Sequence, residues 1–288
     1  MASRQQLKQR IGSVKSTKQI TKAMELVSAS KMRRAQEQAM RSRDYRNIAR
    51  QILARLRQLT DVKKHPLYTQ RTLGTRLHIV VTSNRGLAGA YNSNVLKRLT
   101  LELQQDKEAG VVSKIIVIGK QGARFIVRFE DIEVLAVYES FPDQLTANDI
   151  RPLLDTITTQ FTEAIVDAVD IIYTDYKTSI TQIVTVDRLL PAAYSDEPVE
   201  PDLENAVFEP SPEAVLESVT ERLIESQLSQ AIMESAASEQ SMRMMAMKSA
   251  TDNASDLIED LTLAYNTARQ GAITQELAEI TGGAEAIK

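Results

Sequence analysis

Apolar residues recur at steps of three and four along the first sixty residues of the chain. The members of this narrow stripe are Leu7, Ile11, Val14, Ile20, Met24, Val27, Ile48, Ile52, Leu56 and Leu59. Such spacing predicts a helix with a single apolar face. Lysine and arginine occupy much of the remaining surface, and a helix that is polar except for one seam needs a partner helix. Residues 14–65 contain no proline or glycine, so we expect the helix to cover them.

The same periodicity returns near the C-terminal end. Its members are Val215, Val219, Leu223, Leu228, Ile232, Met242, Met245, Leu257, Leu261, Tyr265 and Ala268. Ser211, Pro212 and Glu213 give a start signal, with a capping serine, a proline at the first helical position and an acid near the helix dipole. We predict that this helix continues to Ile280 and ends at Gly282-Gly283. It is longer than the N-terminal helix, so it should extend beyond that helix at one end.

The middle of the chain has a different residue pattern, with short runs rich in β-branched residues. These runs span residues 76–82, 114–118, 132–138, 170–175 and 181–186, and helical spacing fills 91–108, 121–129 and about 148–168 between the first four. Strands that alternate with helices predict crossover connections and a mainly parallel sheet. The last two runs are too close for a crossover, so they should form an antiparallel hairpin.

These patterns together predict an antiparallel two-helix coiled coil made by both ends of the chain, with an inserted small α/β domain whose sheet is mostly parallel. The predicted parts are a basic helix over residues 1–65, a Rossmann-like α/β domain over 66–195, an acidic proline-rich linker over 196–212 and an acidic helix over 213–288. At about 1.5 Å per residue, each helix could reach roughly 75–85 Å. This length favours a protein that spans a distance or transmits motion over one that encloses a substrate.

Charge is strongly segregated, although the net charge is only −3. Residues 1–64 hold 17 Lys/Arg against 4 Asp/Glu, whereas residues 196–288 hold 5 against 19. Opposite charges steer helix pairing, even though each exposed ion pair contributes little stability. A basic helix could instead bind nucleic acid. Tyr45 is the only aromatic residue in 1–64, so the segment has few rings on which bases could stack. Nucleic-acid binding remains an alternative function.

The sequence offers few residues that could catalyse a reaction or bind a ligand. The glycine-rich segment 83–92 follows the first predicted strand, where α/β folds often hold phosphates, but it matches neither GxGxxG nor a Walker A loop. We expect tight turns there and at 119–122, with ligand contact as the lesser alternative. The chain has no cysteine and only two histidines, His65 and His78, at no metal-ligand spacing. We therefore predict no cofactor, no metal site and no catalytic residue.

No run of eighteen apolar residues occurs, and the first thirty residues lack the apolar core of a signal peptide. We accordingly expect an intracellular protein, soluble or peripheral to a membrane.

Several strings resemble the γ subunit family of F-type ATP synthases. They are QITKAMELV at 19–27, ASKM at 29–32, RGLAG at 85–89, LLP at 189–191, SE at 238–239, MRMMAMK at 242–248, ATDNA at 250–254, YN at 265–266, ARQ at 268–270 and ITQE at 273–276. The resemblance covers essentially the whole chain. It implies a shaft inside a ring of three α and three β subunits, with the α/β domain against the ε subunit and the membrane-embedded c-ring. Catalysis would belong to the β subunits.

The resemblance also implies contact residues. Contacts with the β subunits fall on Lys22, Met24, Arg269, Gln270, Thr274 and Glu276, and contacts with the c-ring fall on Phe208, Glu209 and Pro210. The implied location is the cytoplasmic face of the bacterial plasma membrane, peripheral to it. Without cysteine, and with no room for an extra regulatory segment in the α/β domain, the chain should lack the thiol switch of photosynthetic relatives. A coiled-coil adaptor with an α/β head is the structural alternative.

Overall fold

The computed structural model describes residues 4–129, 131–139, 141–142, 145–193, 206 and 208–286, apart from the side chains of 41–47, 63 and 282–286. Its helices are α1 (Arg4–Leu59), α2 (Tyr91–Glu108), α3 (Lys120–Ile126), α4 (Ala147–Thr162) and α5 (Pro212–Ala286). Its strands are β1 (Thr75–Val81), β2 (Val112–Ile118), β3 (Glu133–Tyr138), β4 (Ala168–Tyr176) and β5 (Gln182–Leu190). Two short 3-10 helices, Val62–Lys64 and Pro66–Tyr68, follow α1.

Both long helices pass through a glycine without ending, and α1 ends at Leu59 rather than at the predicted residue 65. α1 begins at Arg4 and includes Gly12, and α5 includes Gly271. The predicted stop at residues 282–283 is wrong, since α5 continues to Ala286. A glycine inside a helix costs only about 1 kcal/mol, and each added residue gains a backbone hydrogen bond once a helix is formed. A glycine therefore ends a helix only where the chain turns away.

The five strands form one sheet in the order β3-β2-β1-β4-β5. β1 pairs in parallel with β2 and β4, β2 pairs in parallel with β3, and β4 pairs antiparallel with β5. This confirms the predicted mostly parallel sheet and its hairpin. The chain builds outward from β1 to β3 and then returns to β4 on the other side of β1. The gap between β1 and β4 is therefore the topological switch point, where α/β folds commonly bind ligands.

The chain divides into two compact units, residues 1–28 with 243–288 and residues 29–242. The larger unit contains the sheet, α2 to α4, the second part of α1 and the first part of α5. There Thr60 at the end of α1 donates a hydrogen bond to Glu213 in the first turn of α5, at 3.1 Å. In the smaller unit Thr251 of α5 donates to Thr21 of α1 at 2.8 Å. Each unit thus pairs opposite ends of the two helices, as antiparallel helices require.

The two units bury different kinds of side chain. The larger unit buries long apolar side chains from both helices against the sheet, including Leu53, Leu56, Leu223 and Leu228. In the smaller unit the buried positions include Thr21, Ser28, Thr251 and Ala254 beside Leu7 and Met247. Small side chains let two helix backbones approach closely, but they remove less apolar surface from water.

Candidate functional site

The contact between the long helices follows a heptad repeat that the apolar stripe did not reveal. Buried and half-buried positions on α1 recur at alternating steps of four and three, and in the smaller unit they are Leu7, Ile11, Val14, Lys18, Thr21, Glu25 and Ser28. Within the larger unit the same spacing on α1 continues at Met32, Ala35 and Ala39. On α5 the matching set is Met247, Thr251, Ala254, Ile258, Leu261, Tyr265, Ala268 and Ala272. This alternation is the seam of a left-handed coiled coil.

The predicted stripe was therefore partly wrong. Ile20, Val27 and Ile48 are 61 %, 56 % and 57 % exposed, although the sequence pattern placed them at the helix contact. Threonine, serine and alanine occupy inward positions instead, because closely approaching helices need small side chains there. An apolar-only count misses them. The correct signal was the exact step of seven from Thr21 to Ser28 to Ala35.

All six residues assigned to β-subunit contact lie in the smaller unit. Lys22 is exposed on α1 and pairs with Glu25 at 3.0 Å, and Met24, two residues after Lys22, is half-buried. The other four, Arg269, Gln270, Thr274 and Glu276, are exposed along the last part of α5. The structure thus places five of the six side chains in contact with solvent.

Exposed apolar side chains surround these polar residues. On α5 they are Leu257, Leu263, Ile273, Leu277 and Ile280, and on α1 they are Ile20, Leu26 and Val27. Leu263 and Ile280 are 69 % and 68 % exposed. Soluble proteins seldom leave so many large apolar side chains in water, and such surfaces usually mark contacts with other proteins.

The residues assigned to c-ring contact lie in the larger unit and differ in their exposure to solvent. Phe208 is half-buried and packs against the main core cluster, whereas Glu209 and Pro210 are exposed. Residues 196–205 and 207 of the predicted linker lie outside the described residues.

The glycine-rich segment after β1 satisfies its polar groups locally. Ser83 donates its amide to Asn92 Oδ1 at 3.0 Å and its hydroxyl to the carbonyl of Arg85 at 2.7 Å. Gly119, after β2, has a φ of +97°, and an added Cβ would lie 2.2 Å from the Thr82 carbonyl oxygen. These contacts are those of two tight strand-to-helix turns packed against each other.

A buried charged cluster lies between α2 and the sheet. His78 Nε2 is 2.7 Å from Asp106 Oδ2, and Arg76 is 3.1 Å from the other carboxylate oxygen. Ser113 donates to the same carboxylate at 2.9 Å. Arg76 also lies 3.6 Å from Asp170, with which Arg188 forms a close ion pair. His78 is fully buried and Asp106 nearly so, so this pair is shielded from any substrate and instead joins α2 to β1.

Electrostatics in this cluster favour the ionised carboxylate. Desolvation is the largest influence on Asp106 and opposes ionisation. Hydrogen bonds from His78 and Ser113, with the charges of His78 and Arg76, outweigh it, so the pKa of Asp106 lies below its ordinary value. Among the described residues, no group of three or more histidine, aspartate or glutamate side chains could hold a metal ion. No described helix is long and apolar enough to span a bilayer.

Comparisons with known proteins agree with this geometry. The family model described as ATP synthase matches residues 3–287. The ATP synthase gamma chain of Psychrobacter arcticus is 38 % identical over 293 residues, covering 100 % of both chains. The ATP synthase gamma chain of Parafrankia sp. (strain EAN1pec) is 41 % identical over 288 residues, covering 97 % of this chain and 96 % of the relative.

Solved structures share the fold at lower identity. A chain of the Euglena gracilis mitochondrial ATP synthase OSCP/F1/c-ring structure has a TM-score of 0.68 at 19 % identity, covering 98 % of this chain and 93 % of that one. A chain of the Tetrahymena thermophila mitochondrial central stalk and c-ring structure has a TM-score of 0.59 at 22 % identity, covering 80 % and 99 %. With a full-length family match and relatives near 40 % identity, this chain belongs to the ATP synthase gamma chain family.

Proposed function

We propose that this chain is the central rotor stalk of an F-type ATP synthase. Its rotation as an asymmetric coiled coil couples ion flow through the membrane ring to ATP synthesis or hydrolysis at β-subunit sites, and the chain itself has no catalytic role. The observation that carries the proposal is the exposed apolar surface on both helices of the smaller unit, near Lys22 on α1 and on either side of Arg269 and Gln270 on α5. Water is a poor environment for that surface, whereas the interior of a ring of subunits would cover it.

Within this function, Lys22, Met24, Arg269, Gln270, Thr274 and Glu276 would contact the β subunits. Arg269 is suited to this because a guanidinium can bind a carboxylate through two parallel hydrogen bonds. Ile273 and Leu277 lie four and eight residues further along the helix and offer an apolar surface that can slide across similar surfaces, because apolar contacts are non-directional. Residues 271–288, which include the end of α5, would form the tip within the α3β3 hexamer.

The other end of the rotor would contact the membrane sector. Phe208 packs against the core and so fixes the position of its segment, while Glu209 and Pro210 are exposed and could contact the c-ring. The α/β domain of residues 66–195 would also contact the ε subunit. The segments 1–65 and 213–288, which contain α1 and α5, would be the shaft, and the segment 196–212 the linker to the ring contact. These assignments place the chain at the cytoplasmic face of a bacterial plasma membrane, peripheral to it.

Replacing Arg269 and Gln270 with alanine tests the β-subunit contact. Both side chains are exposed, so circular dichroism of the variant should match the parent chain. ATP hydrolysis by the assembled complex should fall by about ten-fold, the effect of losing one charge-assisted hydrogen bond. The matched control is Glu217→Ala with Glu221→Ala, two exposed residues of the same helix that lie in the larger unit. Full activity of the Arg269/Gln270 variant would refute the assignment.

Purification separates the rotor from its alternatives. A rotor should co-purify with α and β subunits in threefold excess, whereas a coiled-coil adaptor should be isolated with other partners. A nucleic-acid binder should instead show DNA or RNA affinity that falls steeply with salt.

A further inference from the structure

The switch point between β1 and β4 is occupied by the chain's own helix α5. β1 last pairs with β4 at Val80 and Ile172, but β4 continues to Tyr176. Beyond Ile172 the side of β4 that faces β1 therefore has no strand to pair with. Thr174 lies in this overhang and is buried, so its backbone N–H and carbonyl need other partners.

Two serines of α5 supply those partners. The Thr174 amide donates to Ser235 Oγ at 3.3 Å, and Ser238 Oγ donates to the Thr174 carbonyl at 3.1 Å. Ser235 and Ser238 are both fully buried. Helix α5 thus takes, at this edge, the place that a neighbouring strand or a bound ligand takes in related α/β architectures.

The contact continues into α2 and β1. Ser235 Oγ lies 2.6 Å from the hydroxyl of Tyr91, which in turn lies 3.4 Å from the carbonyl oxygen of Val81. If Tyr91 donates to Val81, Ser235 can donate to Tyr91 while accepting from Thr174. One buried chain of hydrogen bonds then links β4, α5, α2 and β1.

A third serine, one turn further along, fixes the β4–β5 hairpin. Ser241 Oγ donates to the carbonyl of Ser179 at 2.7 Å and accepts from Gln182 Nε2 at 3.2 Å. Ser235, Ser238 and Ser241 follow each other at steps of three, so they lie along one inclined row of the helix surface.

We propose that Ser235, Ser238 and Ser241 form a torsional clamp that holds α5 at one rotational angle and one axial position against the sheet. Apolar packing stabilises a helix on a sheet but tolerates small rotations, because it is non-directional. Buried hydrogen bonds are directional, and any rotation or slide of α5 would leave the Thr174 backbone groups unpaired away from water. The proposal rests on the rotor function, for which torque must pass between the α/β domain and α5.

Angular fluctuation in the assembled complex tests the clamp. The chain has no cysteine, so Lys107→Cys, at an exposed position of α2, provides a unique thiol in this chain for attaching a bead. With the shaft stalled by a non-hydrolysable ATP analogue, Ser235→Ala with Ser238→Ala should broaden the angular distribution of the bead. Amide exchange of Thr174 should accelerate by about ten-fold through loss of its acceptor. The matched control, Ser218→Ala with Ser249→Ala, changes two exposed serines of α5 and should alter neither quantity.

An unchanged angular width in the Ser235/Ser238 variant would overturn the clamp, even if the thermal stability of the chain falls. If that variant does not assemble, Tyr91→Phe removes only the hydroxyl and should still broaden the distribution, by a smaller amount; no broadening would then overturn the clamp. Failure of the rotor function would appear differently, as a parent complex in which the bead never rotates during ATP hydrolysis.

Discussion

Asp106 is the residue on which most of the buried charge cluster converges. It accepts hydrogen bonds from Ser113 and His78 and pairs with Arg76, so it ties α2 to β1 and β2. A carboxylate this deeply buried is tolerated because hydrogen bonds from His78 and Ser113 and the charge of Arg76 stabilise its ionised form. Its value to the protein depends on remaining ionised.

This dependence predicts acid sensitivity at Asp106. Its folded pKa is lower than the ordinary value of 3.8, so its stabilising contribution is fully present above that pH and disappears as pH falls through the folded pKa. Asp106→Asn should lower the free energy of unfolding by about 3 kcal/mol at pH 7, since it leaves Arg76 short of a buried partner. The variant should also lose less stability than the parent below pH 3.8.

Urea denaturation at several pH values measures both effects. Asp155→Asn is the matched control, because Asp155 is exposed on α4 and its replacement should change stability by less than about 0.5 kcal/mol. Equal pH dependence in the Asp106 variant and the parent would contradict the role assigned to this carboxylate.

Helices α1 and α5 meet through a seam in which hydroxyl groups replace large apolar side chains. The contact between Thr21 and Thr251 is its clearest case, with both side chains buried and their oxygens 2.8 Å apart. Each hydroxyl also bonds a carbonyl of its own helix, Thr21 that of Lys18 and Thr251 that of Met247, so the cross-helix bond adds to contacts that each helix already makes. Its net contribution to stability is small.

Valine substitutions at this pair should therefore be non-additive. Thr251→Val alone leaves the Thr21 hydroxyl without its cross-helix partner and should cost about 1 kcal/mol. The double replacement, Thr21→Val with Thr251→Val, should recover most of that loss, because valine has the shape of threonine and both polar groups are gone. A double-mutant cycle by urea denaturation measures the coupling. Additive losses would show that the two hydroxyls do not interact.

At the scale of the whole molecule, the two units differ in how they are stabilised. The larger one buries long aliphatic side chains on a five-stranded sheet, whereas the smaller one buries many small and polar residues between its two helices. Both units also expose leucine and isoleucine side chains. The exposed residues are available for contacts with other subunits. Local stability should follow buried apolar area, so it should differ between the units.

Hydrogen exchange should reveal this difference. In the isolated chain, amides of residues 243–280 should exchange faster than those of β1 and β4, because fewer apolar contacts oppose local opening. In the assembled complex the same helical amides should become protected, since a partner that binds only the folded helices stabilises them. Mass spectrometry of both samples makes the comparison, and β1 is the internal control. Equal exchange of α5 in the two samples would contradict burial of this surface by partners.

The sequence alone was sufficient for the element types. Prolines and glycines mark the limits of the middle part of the chain, and runs of β-branched residues identify all five strands. The short connection after Tyr176 requires a hairpin. These features are local, since backbone preference and residue periodicity operate over a few neighbours. The strings shared with the gamma chain family likewise needed no coordinates.

Tertiary structure decided which face of each helix is buried and what the polar residues do. Ile20 and Val27 point to solvent while Thr21 and Ser28 are buried, because the separation of two helix axes depends on the side chains of both. His78 and Asp106, or Ser235 and Thr174, are distant in sequence and meet only when the sheet forms. The sequence determined the elements through local interactions. Only the packing of distant segments determined their contacts, because burial and hydrogen-bond partners are properties of pairs of surfaces.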